Sequence, residues 1–279
     1  DVITHVTVMI HGYEGILHVI PSLEKLQFLD IRATVDIDIW PIVHAARTLK
    51  TLHVIAHSIR FPTTTWPQLK ALRLISSSVV TCNCRQDQFP VLESLSIEGH
   101  TFLATETDLP QTLVSFQMSV ATFPIDILES ICLLRQIRHL SFDGSRLTYL
   151  PESFGELETL ESLSLRGNFM TIYNSYGERD GHMLNISRLS KLRVLDLSDN
   201  VCLELGNSSI QFPENLEVLD VRSCIDGYYN EPFFQNAYLP SLEVLYTKHL
   251  PSRDDIRSVM PNLKTIVYAD PDPVKKPVQ

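Results

Sequence analysis

Leu192-Arg-Val-Leu-Asp-Leu-Ser-Asp-Asn-Val-Cys-Leu203 carries apolar residues at Leu192, Leu195 and Leu197, with Asn200 three positions further on. The run Leu195-Asp-Leu197 alternates with period two, as a strand requires, so the leucines point to one face and Asp196 to the other. A single short strand of this kind cannot bury its apolar side. It needs neighbours of the same design, stacked so that one core runs through all of them.

Those neighbours are present. Anchors equivalent to Leu192 fall at Ile3, Leu26, Leu49, Leu69, Leu92, Leu113, Ile137, Leu160, Leu216, Leu242 and Leu263, which makes twelve units spaced 20 to 32 residues apart. The pattern resembles the leucine-rich repeat family, whose signature is L-x-x-L-x-L-x-x-N/C-x-L with a period of about 20–29 residues. The resemblance covers essentially the whole chain. It implies an α/β solenoid of about 12 repeats, with a parallel sheet on the concave face and irregular or short helical segments on the convex return. Residues 1–269 then form one repeat domain, and 270–279 a tail or linker.

The asparagine position is degenerate. Asn168, Asn200 and Cys224 fit the family pattern, whereas Thr34, His57, Ser77, His100, Ala121 and Ser145 stand there elsewhere. In the family this residue bonds buried backbone between neighbouring turns. A buried amide left unsatisfied costs about 1–3 kcal/mol. The first half is therefore expected to satisfy its turns differently. The most regular stretch is Leu147 to Leu165.

A net charge of −10 disfavours a broad nucleic-acid footprint, which needs clustered Lys and Arg. No apolar run reaches the roughly 18 residues of a membrane helix. The chain starts at Asp1 and is inside a repeat by Ile3, so we expect a piece of a longer protein whose upstream cap lies elsewhere. Five cysteines (Cys82, Cys84, Cys132, Cys202, Cys224) favour a reducing, cytoplasmic setting. The sequons at Asn185 and Asn207 support the extracellular alternative.

Cys82-Asn83-Cys84 reads as a loop after the fourth strand, because no second cysteine pair lies nearby in sequence. The repeat register puts His53 on an outer strand face and His57 in a turn, so they are no helical metal pair. No catalytic motif of the G-x-S-x-G, phosphate-loop or H-E-x-x-H kind occurs. Neither enzyme activity nor a cofactor or metal is expected.

Outward strand positions lie two, four and six residues after each anchor. The early strands show His5, Phe28, Asp30, Arg32 and His53, and the middle is rich in Ser. The late strands carry Asp143, Arg166, Asp196, Asp220, Arg222, Tyr246 and Lys248. Asp196 and Asp220 hold equivalent places on adjacent strands and need a cation between or beside them, for which Arg166, Arg222 or a partner's Lys or Arg are candidates. Long spacings place insertions at 171–182 and 226–238, and loops of a solenoid gather on one rim. In the second, Tyr228 and Tyr229 follow the Asp226-Gly227 turn signal and are expected outside, and Phe233 and Phe234 inside.

These residues point to a protein-recognition module of a larger intracellular protein, taking another protein or its own neighbouring domains as partner. Asp143, Arg166, Asp196, Asp220, Arg222, Tyr228, Tyr229, Tyr246 and Lys248 are its candidate binding residues. It looks like the repeat domains of plant intracellular immune receptors, of ubiquitin-ligase substrate adaptors or of bacterial effectors. The alternative is an extracellular receptor or adhesion ectodomain binding a peptide or glycan.

Overall fold

The structure is a computed structural model of the 279-residue chain. It describes residues 3–12, 20, 23–170, 186–200, 203, 211–224, 238–248, 256 and 258–268, the side chains of 44–46 excepted. The chain divides into two compact units, Asp1–His139 and Leu140–Gln279.

In the first unit the anchors Ile3, Leu26, Leu49, Leu69, Leu92 and Leu113 are each followed, two residues on, by a strand. These are β1 (His5–Ile10), β2 (Phe28–Ala33), β4 (Thr51–Ala56), β6 (Ala71–Ser76), β8 (Ser94–Leu103) and β9 (Ser115–Thr122). They pair in that order, all parallel, and in register. One row across the sheet therefore runs Thr7, Asp30, His53, Arg73, Ser96 and Gln117. Leu29, Leu52, Leu72, Leu95 and Phe116 lie on the other face and are buried. The alternation read from the sequence thus sets which face meets the core.

The return path differs from the expectation of irregular or helical segments. Three further strands, β3 (Ile37–Asp38), β5 (Ile59–Arg60) and β7 (Val79–Thr81), pair laterally with one another and with the end of β8. The chain remains extended because no left-handed turn stops the main strands. Seven residues after the anchors stand Ile10, Ala33, Ala56, Ser76, Gly99 and Val120, all still in strand. Thr34, His57, Ser77, His100 and Ala121 follow at the corner between the two sheets, where an asparagine ladder has no place. Side chains satisfy that corner locally. Ser76 Oγ bonds the carbonyl of His57 at 2.6 Å and accepts the Ser78 N–H at 3.0 Å. At Gly99 a Cβ would stand 3.0 Å from the Ser76 carbonyl oxygen, so β8 can turn this corner only with glycine or by displacing its neighbour. Helical returns also occur. A 3-10 helix spans Trp40–Arg47. The helix α1 (Asp126–Cys132) buries Ile127, Leu128, Ile131 and Cys132, one face at helical spacing.

The second unit is built on another rule. Its strands β10 (His139–Ser141, the first residue belonging to the first unit), β11 (Ser162–Ser164), β12 (Val194–Asp196), β13 (Val218–Asp220), β14 (Val244–Thr247) and β15 (Thr265–Tyr268) are short. Each again begins two residues after its anchor. Leu163, Leu195, Leu219 and Leu245 face the core. Seven residues after the anchors the backbone turns left-handed, at Gly144 (φ 66°), Gly167 (φ 64°), Asp199 (φ 59°) and Ser223 (φ 60°). For a non-glycine residue this conformation costs roughly 1–2 kcal/mol.

The turns are held from within by the next residue. Asn168 Nδ2 donates to the carbonyls of Phe142 and Leu165 at 2.8 and 2.7 Å, and its Oδ1 accepts the Leu147 N–H at 3.0 Å. Asn200 repeats the pattern with Leu165 and Leu197 carbonyls at 2.8 and 2.7 Å and the Met170 N–H at 3.1 Å. Cys224 supplies one such bond, Sγ to the Leu197 carbonyl at 3.1 Å. Burial pushes its thiol up to about 12, so it stays a neutral donor. In the stretch expected to be most regular, the return is a 3-10 helix at Glu152–Glu156.

Candidate functional site

The solvent-facing side of β10 to β14 carries the charged residues singled out from the sequence. The strand pairing aligns Ser164, Asp196, Asp220 and Tyr246 in one row, and Val194, Val218 and Val244 in another. A valine row beside a charged row arises because each strand begins with the same outward position.

Asp220 is 7% exposed and takes a guanidinium directly. Arg222 Nε lies 2.9 Å from Asp220 Oδ1, and Arg222 Nη2 lies 2.5 Å from Oδ2. The backbone N–H of Arg222 also donates to Oδ1, at 3.1 Å. The same guanidinium sits over the Tyr246 ring, 5.2 Å from its centre. A fork-to-fork pair stacked on an aromatic face has little freedom left, so this group is presented to solvent already ordered.

Asp196, beside Asp220 in register, is held differently. Its Oδ1 accepts the N–H and the hydroxyl of Ser198 at 2.8 and 2.6 Å. Burial raises its carboxyl above the ordinary value, the two Ser198 bonds oppose this, and the negative charges of Asp220 and Asp143 add to the rise. Arg166 pairs instead with Asp199, Nε to Oδ2 at 2.9 Å. Asp143 accepts the Ser164 hydroxyl at 2.5 Å. Lys248 is half-buried, two residues beyond Tyr246.

Of the residues expected to bind, Asp220, Arg222 and Tyr246 therefore form one cluster, with Asp196 next to it. Asp143 and Arg166 lie on the same face with their own partners. Tyr228, Tyr229, Phe233 and Phe234 lie outside the described residues, as do Asn185, Asn207 and Cys202, while Tyr238 at the end of the second insertion is 58% exposed. Sequence reasoning missed Ser198 and Asp199. Asp199 stands where Gly144 and Gly167 stand in neighbouring repeats, so the repeat alignment could have marked it as a turn residue.

The first unit presents a different surface. His5, Phe28 and His53 pack ring to ring at 5.5 and 5.3 Å across β1, β2 and β4. Asp30, 6% exposed, pairs with Arg32 at 3.0 Å in the same Asp-x-Arg arrangement as Asp220 and Arg222. Beside the lateral strands lies a recess of about 360 Å³ lined by Asp36, Asp38, Ser58, Arg60 and Thr81. It mixes both signs of charge and defines no single ligand. Among the described residues no three His, Cys, Asp or Glu side chains are grouped to hold a metal ion, and no helix is long and apolar enough to cross a membrane.

No family model matches the sequence. The comparison with curated proteins gives no match either. Solved structures do match. An internalin, InlF, from Listeria monocytogenes aligns over 96% of this chain and 87% of its own, with a TM-score of 0.54 and 16% identity. A leucine-rich repeat protein from Leptospira interrogans aligns over 95% of this chain and 72% of its own, with a TM-score of 0.46 and 17% identity. The in-register parallel strands, the buried Asn168–Asn200–Cys224 positions and the likeness to the internalin identify the fold of this chain as that of the leucine-rich repeat proteins.

Proposed function

We propose that this chain is a protein-recognition module of a larger intracellular protein, binding its partner on the outward face of β11 to β14. The observation that carries the reading is the Asp220–Arg222–Tyr246 cluster. A solvent-facing sheet gains nothing in stability from a nearly buried carboxylate, whose desolvation roughly cancels the gain from pairing. What it gains is a fixed guanidinium and an aromatic ring, the residue types that most often anchor protein interfaces. The valine row beside them gives a partner apolar area to cover. Asp196 and the exposed Arg166 add charges that select and steer a partner more than they tighten its hold. The cysteine usage supports the intracellular setting.

A random-peptide display library panned on the full chain tests the surface without knowledge of the natural partner. Enriched peptides should lose tenfold or more in affinity on Tyr246→Ala or Arg166→Glu, about 1.4 kcal/mol or more. They should keep it on Arg73→Ala, which alters the outward face of the first unit. Peptides indifferent to both second-unit variants would sink the assignment.

A further inference from the structure

Cys82 and Cys84 flank Asn83 just beyond β7, and each side chain is 1% exposed. Their Sγ atoms stand 3.0 Å apart, within about 1 Å of the ~2.05 Å of a bonded pair. Residues two apart on an extended strand share a face but sit about 6.6 Å from each other. Here Cys84 is a non-glycine residue with φ of 50°, which aims its side chain differently from that of an extended residue.

The turn is fastened by contacts that do not involve sulfur. The Cys82 N–H donates to the Leu103 carbonyl at 3.1 Å. Asn83 Oδ1 accepts both the N–H and the hydroxyl of Thr105 at 3.1 Å. Next to the pair, Arg85 bridges Asp87 and Glu106. A left-handed non-glycine residue is thus held beside two thiols in contact. The Cys84 thiol is held well above its ordinary value by its bond to Cys82 and by burial, so Cys84 rests as a neutral thiol and is no ready thiolate ligand for a metal.

We propose that Cys82 and Cys84 are an oxidative modification site, closing to a Cys-x-Cys disulfide by exchange with a small disulfide such as oxidised glutathione. In a local opening one cysteine, as thiolate, attacks the glutathione disulfide and expels one glutathione. The second cysteine then attacks the protein sulfur of the mixed disulfide and expels the other. Each proton leaves with a departing thiolate. The protein loses two hydrogens, and one glutathione disulfide becomes two glutathiones. Because the second sulfur is already in contact with the first, the mixed disulfide is resolved as soon as the loop recloses.

The test treats the folded full chain with oxidised glutathione, blocks remaining thiols under denaturing conditions, and maps the peptides by mass. The expected result is that the peptide holding Cys82 and Cys84 lacks two hydrogens and resists alkylation, while dithiothreitol restores both thiols. Of the five cysteines, Cys132 and Cys224 should remain alkylatable. Cys82→Ser and Cys84→Ser should each abolish the change. Closure only in the unfolded chain, a persistent glutathione adduct at either residue, or full alkylation of the pair after treatment overturns the proposal. The wild-type mapping decides the matter even if a variant fails to fold.

Discussion

Asp196 and Asp220 stand side by side in register on β12 and β13, and only Asp220 carries a guanidinium on its carboxylate. Asp196 leans on the neutral Ser198, and burial lifts its carboxyl above the ordinary range. A carboxyl raised by folding holds its proton more tightly in the native chain. Its favourable contribution is present below the unfolded value and is lost as pH rises through the folded one. At neutral pH, Asp196 therefore costs stability. Asp196→Asn, which keeps an oxygen for Ser198, should melt higher than wild type at pH 7. The gain should vanish at a pH below the ordinary carboxylate range. Thermal melts across pH read it directly, and a gain that does not depend on pH would contradict the assignment. A partner cation placed on Asp196 reverses the shift, so binding at mildly acid pH should release a proton, measurable by calorimetry in buffers of different ionisation enthalpy.

The Asp220–Arg222 pair makes a different prediction. Arg222→Ala leaves a nearly buried carboxylate with one backbone donor, and should cost about 1–3 kcal/mol in denaturant unfolding. Adding Asp220→Asn to that variant should recover part of the loss. If the double variant is as unstable as the sum of the singles, the two side chains are not coupled.

Asn200 is a fully buried hydrogen-bonding side chain of the second unit. Asn200→Ala removes one donor each from the Leu165 and Leu197 carbonyls, which keep Asn168 and Cys224, and takes the acceptor from the Met170 N–H. With about 1–3 kcal/mol at stake for a buried group left unsatisfied, its loss should exceed that of Cys224→Ala, after which the Leu197 carbonyl still accepts from Asn200. Equal losses from the two would mean that the ladder is not shared between turns.

The register itself is open to a pairwise check. Leu195→Ala empties a fully buried position and should cost about 2–5 kcal/mol. Val194→Ala, one residue earlier and 39% exposed, should cost far less. Similar losses would put the wrong face in the core.

The twelve anchors were legible because core burial imposes period two on every strand, and the structure begins a strand two residues after each. The outward row followed from the same arithmetic, so Asp196, Asp220, Arg222 and Tyr246 were found before any geometry. What could not be read was pairing. Nothing local says that Arg166 turns to Asp199 rather than Asp196, because the choice depends on where a left-handed turn delivers Asp199. The lateral strands β3, β5 and β7 were also hidden. They are two or three residues long, too short for a period to register, and they exist only because their neighbours do. The degenerate asparagine position was the one trace of them in the sequence.

The corner at Gly99 reaches beyond its own turn. One ten-residue strand, β8, pairs in both the main and the lateral rows of strands, whereas β10 to β13 of the second unit end after three residues, each before a left-handed turn. Repeats from the two units are therefore not interchangeable parts. A repeat of the Leu160–Met170 kind grafted between β4 and β8 would bring its own turn and asparagine into a place whose neighbours offer edges instead. The lateral carbonyls of Ser58 and Arg60, which now receive Ile37 and Ile39, depend on that edge being continued. Anyone lengthening or shortening this solenoid has to cut within one unit and keep to its grammar.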